Sequence, residues 1–345
     1  MVDVAVIGAS GYGGGELLRW LSVHPAARVR VATSRTYAGR PVADSFAGLA
    51  GLLDLRFAPD ASVADLSGCA VAFLARDNGW AMGAAEALLG AVPRLIDLSA
   101  DFRFRDPAVY GQWYGDHAAP SLAAEAVYGL PELHRDAVRA ARIVGNPGCY
   151  TTASILALAP LVARKLVDPA TIVIDAKSGV SGAGRSKFGL DYHFAEANES
   201  VTPYRAAGTH RHTPEIEQEL SALGMGEVRV SFTPHLIPMT RGILATCYAT
   251  LATACDAQAL REVYRSFYAG HPFVQIRDGL TSTKHVVGSN MCHIGLGVDA
   301  RVGRVTVFSA LDNLGKGMAT QAIQNMNLML GFEEATGLRV PGLWP

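Results

Sequence analysis

The chain has 345 residues, half of them hydrophobic, which is more than one ordinary domain needs and enough apolar side chain for two packed cores. Its 30 basic and 31 acidic residues leave a formal charge of -1 without any run of like charge, so composition excludes a nucleic-acid groove and a basic membrane face. The cysteines at 69, 149, 247, 255 and 292 are scattered and contain no C-x-x-C pair, which excludes a disulfide framework and metal knuckle; together with the missing leader and membrane span this predicts a soluble, cytoplasmic protein.

The apolar run at residues 2–7 passes directly into Gly8-Ala9-Ser10-Gly11-Tyr12-Gly13-Gly14-Gly15-Glu16, and a helix with Leu17, Leu18 and Leu21 inward follows until His24-Pro25. Strand, glycine-rich turn and helix form the opening βα unit of a doubly wound sheet, in which backbone N–H groups hold a pyrophosphate. The spacing of Gly8, Gly11 and Gly14 is G-x-x-G-x-x-G, and a turn that merely packs helix on strand would also use it. The second strand, 28–33, ends in Thr33-Ser34-Arg35 where an NAD-specific fold carries a carboxylate. A carboxylate there would repel a 2′-phosphate, whereas Ser34 and Arg35 suit one, so the cofactor expected is NADP.

Residues 70–75 and 94–98 read as two further buried strands around a helical stretch at 79–91. Asp97-Leu98-Ser99-Ala100-Asp101-Phe102-Arg103 then falls at a strand's carboxyl end, with Arg103 a candidate for an anion in the substrate. Residues 106–131 read as a long connection.

Gly145-Asn146-Pro147-Gly148-Cys149-Tyr150-Thr151-Thr152 joins a strand at 142–144 to a helix at 153–167. A thiol at the mouth of a helix meets unpaired N–H groups and the positive end of the helix dipole, which favour thiolate over thiol, so Cys149 is the candidate nucleophile. The competing reading is a small residue packed beside an ordinary turn. After a strand at 171–176, Lys177-Ser178-Gly179-Val180-Ser181-Gly182-Ala183-Gly184-Arg185-Ser186 is a donor-rich loop suited to an oxyanion or phosphate, Ser181 included.

Gly208-Thr209-His210-Arg211-His212-Thr213-Pro214-Glu215 opens another helix. Two histidines and an arginine there supply a base and an anion clamp, and Glu215, three residues past His212, is placed to orient its ring. Without H-E-x-x-H or paired cysteines no metal site is expected. The runs at 228–232, 243–251, 273–276, 292–298 and 305–310 are β-rich around one helix at 259–268, which predicts an α+β domain on a mixed or antiparallel sheet able to form dimers. Asp312-Asn313-Leu314-Gly315-Lys316-Gly317-Met318-Ala319 opens the last helix, where Asn313 is either a ligand for a nicotinamide carboxamide or a helix cap.

Through GASGYGGGELLR, TSR, DLSADFR, YGLPEL, GNPGCY, KSGVSGAG, GTHRHTPEIEQEL and DNLGKGMA the chain resembles the N-acetyl-gamma-glutamyl-phosphate reductase family, relatives of aspartate-semialdehyde dehydrogenase. The resemblance implies an α/β Rossmann domain for NADP made of residues 1–148 and 312–345, and a catalytic and dimerisation domain of residues 149–311. It implies NADPH-dependent reduction of an acyl phosphate through a cysteine thioester, in arginine biosynthesis, by a homodimer or homotetramer. On the matching positions Cys149 would be the nucleophile and His212 the acid/base assisted by Glu215. Arg103, His210, Arg211 and Ser181 would contact substrate. Gly8, Ser10, Gly11, Tyr12, Gly13, Gly14, Ser34, Arg35, Ser99 and Asn313 would contact the cofactor. The family commonly has proline where this chain has Thr151 and a Leu-Pro-His-Gly-like turn where it has Arg76-Asp77-Asn78-Gly79. A sister reductase for aspartyl or carrier-linked aminoadipyl phosphate, or a scaffold that binds nucleotide without turnover, would share most of these features.

Overall fold

The structure, a computed structural model, describes residues 1–59, 63–186, 189–224 and 226–344. Short apolar strands alternating with helices build a parallel sheet in the first part of the chain. β1 (Val2–Ile7), β2 (Ala27–Ala32), β3 (Val71–Leu74), β4 (Leu95–Asp97), β5 (Val127–Tyr128) and β6 (Ile143–Gly145) lie in the order β2-β1-β3-β4-β6-β5, each pair parallel. Every residue of β3 and β4 is buried, as suits parallel strands covered on both faces. The chain leaves β1 toward β2 on one side and returns to β3 on the other, so the order reverses between β1 and β3. Open α/β sheets bind ligands beyond the carboxyl ends of the strands at that reversal.

The stretch 106–131, expected to be irregular, contains the helices Pro107–Tyr114 and Pro120–Glu125 as well as β5. Each of these helices begins on a proline, whose missing N–H would be unpaired in a first turn anyway. Asp106 caps the first by accepting the Ala108 N–H at 2.8 Å.

Chain contacts divide the protein into two compact units, one of Met1–Pro147, Gly184–Ser186 and Met318–Arg339, the other of Gly148–Ala183, Lys187–Gly317 and Val340–Pro345. The second contains a mixed sheet of β7 (Val173–Gly179), β8 (Thr202–Pro203), β9 (Ser231–Ile237), β10 (Ile243–Thr250), β11 (Val274–Ile276), β12 (Cys292–Asp299) and β13 (Arg304–Leu311), in the order β11-β12-β13-β10-β7-β9-β8. Its long central pairs are antiparallel, while β7/β9 and β11/β12 are parallel. The helix Cys149–Ala163 belongs to this unit, and its residues from Tyr150 to Val162 are all buried, so it is enclosed around its whole circumference. Pro160 within it cannot donate to the carbonyl of Leu156, and the Tyr268 hydroxyl does so instead at 2.7 Å. The helix carrying Cys149 is thereby fixed from its side as well as its ends.

Candidate active site

In the second unit the site is built on the mouth of the Cys149–Ala163 helix. Cys149 is its first residue and is partly exposed, and Gly148 precedes it in extended conformation without a side-chain cap. The carboxylate of Glu215, fully buried, reaches the turn from the neighbouring helix Thr213–Ser221: its Oε1 accepts the Gly148 N–H at 2.9 Å and lies 2.8 Å from the Thr151 hydroxyl, which it shares with the Gly148 carbonyl at 2.6 Å. A carboxylate so placed is stabilised by those donors and by the helix dipole. Thr151, the residue standing in place of the family's proline, supplies a donor that proline lacks.

His212 lies immediately before Thr213–Ser221. Its ring packs on Gly148 so closely that a Cβ there would collide with Nε2 and come within 2.7 Å of Cε1. On another side, a Cβ on Gly317 would stand 2.8 Å from the Cβ of Cys149. The cysteine thus sits between two glycines, one admitting the imidazole and the other the chain at Gly317.

His210 is different in kind. It is nearly buried, its Nδ1 accepts the backbone N–H of His212 at 3.0 Å, and rings surround it: His212 at 4.8 Å, Phe232 at 5.2 Å, Tyr204 at 5.6 Å and Tyr150 at 5.8 Å between centroids. Burial first, then the neighbouring His212 and Arg205, depress its pKa to about 2. A neutral imidazole with a committed Nδ1 keeps its proton on Nε2. The Tyr204 hydroxyl donates to that of Tyr150 at 3.1 Å, which donates onward to the His235 carbonyl at 3.3 Å. Tyr204 was not legible as part of this cluster, because nothing near position 204 resembles a motif. Arg211 is exposed on the same turn.

Ser181, expected on the substrate side, and Asn313, expected on the cofactor side, meet: the Asn313 amide donates to Ser181 Oγ at 2.9 Å while its Oδ1 accepts the Gly242 N–H at 2.7 Å. Capping of the following turn falls to Asp312 rather than Asn313: its Oδ1 accepts from the N–H groups of Leu314 (2.9 Å) and Gly315 (3.2 Å), and Arg241 pairs with it at 2.9 Å.

In the first unit the loop after β1 turns at Gly8, with φ of +82°, and feeds the helix Tyr12–Leu21. Gly11 at its N-cap has open space where a side chain would stand, no side chain caps the helix and no acidic residue lies in its first turn. Uncapped N–H groups with that clearance fit a pyrophosphate. Gly14 packs on the backbone of Ala9 and Gly13 on Met318, so both are needed for close approach. The buried Ser34 donates to Ser10 Oγ at 2.9 Å and accepts the Tyr37 N–H at 3.1 Å, whereas Arg35 beside it and Tyr12 are exposed. Arg185, unassigned from sequence, donates to the Ser10 carbonyl at 3.1 Å and stacks over Phe46 (5.1 Å) and Tyr37 (5.8 Å).

Beyond β4, Ser99 donates to Asp97 at 2.7 Å, and burial followed by the charge of Asp101 pushes the Asp97 carboxyl up to about 7. Arg103 is nearly buried and spends two donors on the carbonyls of Asn146 (2.7 Å) and Leu98 (3.0 Å). Among the described residues no His, Cys, Asp and Glu cluster is arranged to hold a metal ion, and no helix is long and apolar enough to cross a membrane.

Residues 3–141 match the semialdehyde dehydrogenase NAD-binding domain and residues 149–313 the semialdehyde dehydrogenase dimerisation domain. Among solved structures, aspartate semialdehyde dehydrogenase II of Vibrio cholerae superposes with a TM-score of 0.71 over 95% of this chain and 98% of its own, at 18% identity. The Candida albicans aspartate semialdehyde dehydrogenase solved with NADP gives 0.67 over 96% and 99%, at 14% identity. These likenesses establish the fold. The N-acetyl-gamma-glutamyl-phosphate reductase of Symbiobacterium thermophilum is 54% identical over 98% of this chain and 97% of its own length, and that of Moorella thermoacetica 51% identical over 100% of both. The chain therefore belongs to the N-acetyl-gamma-glutamyl-phosphate reductase family.

Proposed function

We propose that the protein reduces N-acetyl-gamma-glutamyl phosphate to the corresponding semialdehyde and phosphate, with NADPH, as a step of arginine biosynthesis. The observation that carries the reading is the cysteine turn itself: Cys149 opens a helix, a buried carboxylate fixes the turn, and an imidazole packs on Gly148 beside it. The thiolate of Cys149 attacks the acyl phosphate carbonyl, the C–O bond to phosphate breaks, and a thioester remains on the sulfur. NADPH, when bound, supplies the hydride for reduction of that thioester. First-turn N–H groups of the Cys149–Ala163 helix stabilise the oxyanion, and His212 donates a proton to it. His212 then withdraws the hydroxyl proton as the C–S bond breaks and the aldehyde departs. Glu215 acts through position, by holding the Gly148 N–H and the Thr151 hydroxyl.

Gly8, Ser10, Gly11, Tyr12, Gly13 and Gly14 are assigned to the dinucleotide backbone, Ser34 and Arg35 to its 2′-phosphate, and Ser99 and Asn313 to its nicotinamide half. Arg103, His210, Arg211 and Ser181 are assigned to the substrate side. The match to a dimerisation domain supports a homo-oligomer, a dimer or tetramer, and five free cysteines suit a reducing cytoplasm.

The reverse reaction tests the assignment. Phosphate-dependent oxidation should run with N-acetylglutamate semialdehyde in preference to aspartate semialdehyde or carrier-linked aminoadipate semialdehyde, and Cys149→Ser should lower turnover by at least about a thousandfold while NADP binding persists. Near-normal turnover by Cys149→Ser would remove the covalent mechanism.

A further inference from the structure

Arg76 stands where the sheet reverses its strand order. Ile7 and Leu74 are partners in register, and the Ala75 N–H donates to the Ile7 carbonyl at 2.8 Å, so Gly8 and Arg76 leave neighbouring strands at the same edge. The contact between them is close. A Cβ on Gly8 would collide with the Ala75 carbonyl and stand 2.7 Å from Arg76 Cδ, so the alkyl part of Arg76 lies against the first residue of the glycine loop. Its guanidinium is stacked 5.1 Å from the centroid of Trp80, the opening residue of the helix Trp80–Leu89. That helix start is already occupied by Asp101, whose carboxylate accepts the N–H groups of Gly79 at 2.8 Å and Met82 at 3.1 Å. Those first-turn N–H groups are therefore already engaged, and Arg76 is the cationic side chain that lies against Gly8.

We infer that Arg76 is a cofactor-binding residue that neutralises the pyrophosphate of the dinucleotide, complementing the N–H groups at the start of Tyr12–Leu21; the inference rests on the assignment of NADP to this loop. Stacking on Trp80 holds the charge in place before the ligand arrives, so little side-chain freedom is lost on binding. Because both NADP and NAD carry a pyrophosphate, Arg76 acts on the two alike, unlike a residue that reads the 2′-phosphate.

Binding of NADP+ and of NAD+ to the intact protein, followed by calorimetry at low and moderate salt, tests this. Arg76→Gln should weaken both dinucleotides about tenfold, the loss expected for one charge-assisted contact, with their ratio preserved and a shallower salt dependence. Arg76→Lys should recover most of the affinity, and Arg35→Ala should weaken NADP+ alone. Unchanged affinity in Arg76→Gln, a loss confined to NADP+, or Arg76→Lys as weak as Arg76→Gln would each overturn the inference, the last by assigning the effect to the lost stack. Failure of the unmodified protein to bind either dinucleotide would instead remove the cofactor assignment beneath it.

Discussion

Two histidines two positions apart have been given opposite chemical fates by their surroundings. His210 is enclosed by four rings and held neutral down to about pH 2, while His212, a partly exposed residue, packs its ring on Gly148. An acid limb in kcat/KM therefore does not arise from His210. His210→Asn, whose Oδ1 can still accept the His212 N–H, should lower kcat yet leave the position of that limb unchanged, and His212→Asn should abolish turnover; a shifted limb in His210→Asn would contradict this assignment. Stability carries the same signature. The folded pKa of His210 lies below the unfolded value of 6.5, so between 6.5 and about 2 the unfolded chain binds a proton that the native one refuses. The contribution is intact above 6.5 and declines as pH falls, and urea unfolding of His210→Asn should show a weaker loss of stability between pH 7 and 5 than the parent.

At the scale of elements, the turn entering the Cys149–Ala163 helix explains why some of the site was legible and some was not. Gly148-Cys149 before an apolar run, and His212 and Glu215 at another helix start, are local signals, and the residues they mark converge on one turn. What Glu215 holds was not legible, since its partners are 64 and 67 residues away in sequence and only the packing of two helices brings them together. The helices after Asp106 were not legible in a stretch read as a connection, because proline breaks a helix from inside and starts one from its first position. Both departures from the family pattern have structural partners that the sequence did not reveal: Arg76 against Gly8, and Thr151 against Glu215. Removing the Thr151 hydroxyl takes one donor from a fully buried carboxylate, a loss of about 1–3 kcal/mol. Thr151→Val, nearly the same shape, should show that loss in urea denaturation together with reduced kcat, since the turn bearing Cys149 is held through the same Glu215 oxygen. Stability within about 0.5 kcal/mol of the parent would mean that the Gly148 N–H suffices.

At the scale of the whole chain, the first unit is discontinuous, and its last segment is among its most buried parts. All ten residues of the helix Thr320–Met329 are buried, although four of them are Gln or Asn. A buried amide without a partner is costly, so these side chains specify where the helix goes. Asn325 donates to the Gly129 carbonyl at 2.9 Å, Gln321 to the same carbonyl at 3.1 Å, and Gln324 to Glu132 at 3.1 Å. Farther on, His24 Nε2 lies 3.1 Å from both the Asn327 amide oxygen and the Thr336 carbonyl, and its ring lies against Gly337. A polypeptide of residues 1–147 alone lacks each of these partners, and the carbonyl of Gly129 and the carboxylate of Glu132 lose their donors while the apolar side of the missing helix leaves a void. It should show no cooperative thermal transition by circular dichroism, whereas the same polypeptide joined by a flexible linker to residues 318–339 should melt cooperatively and bind NADP+. A sharp transition in residues 1–147 at the midpoint of the joined form would show that the returning helix is carried by the unit and does not complete it.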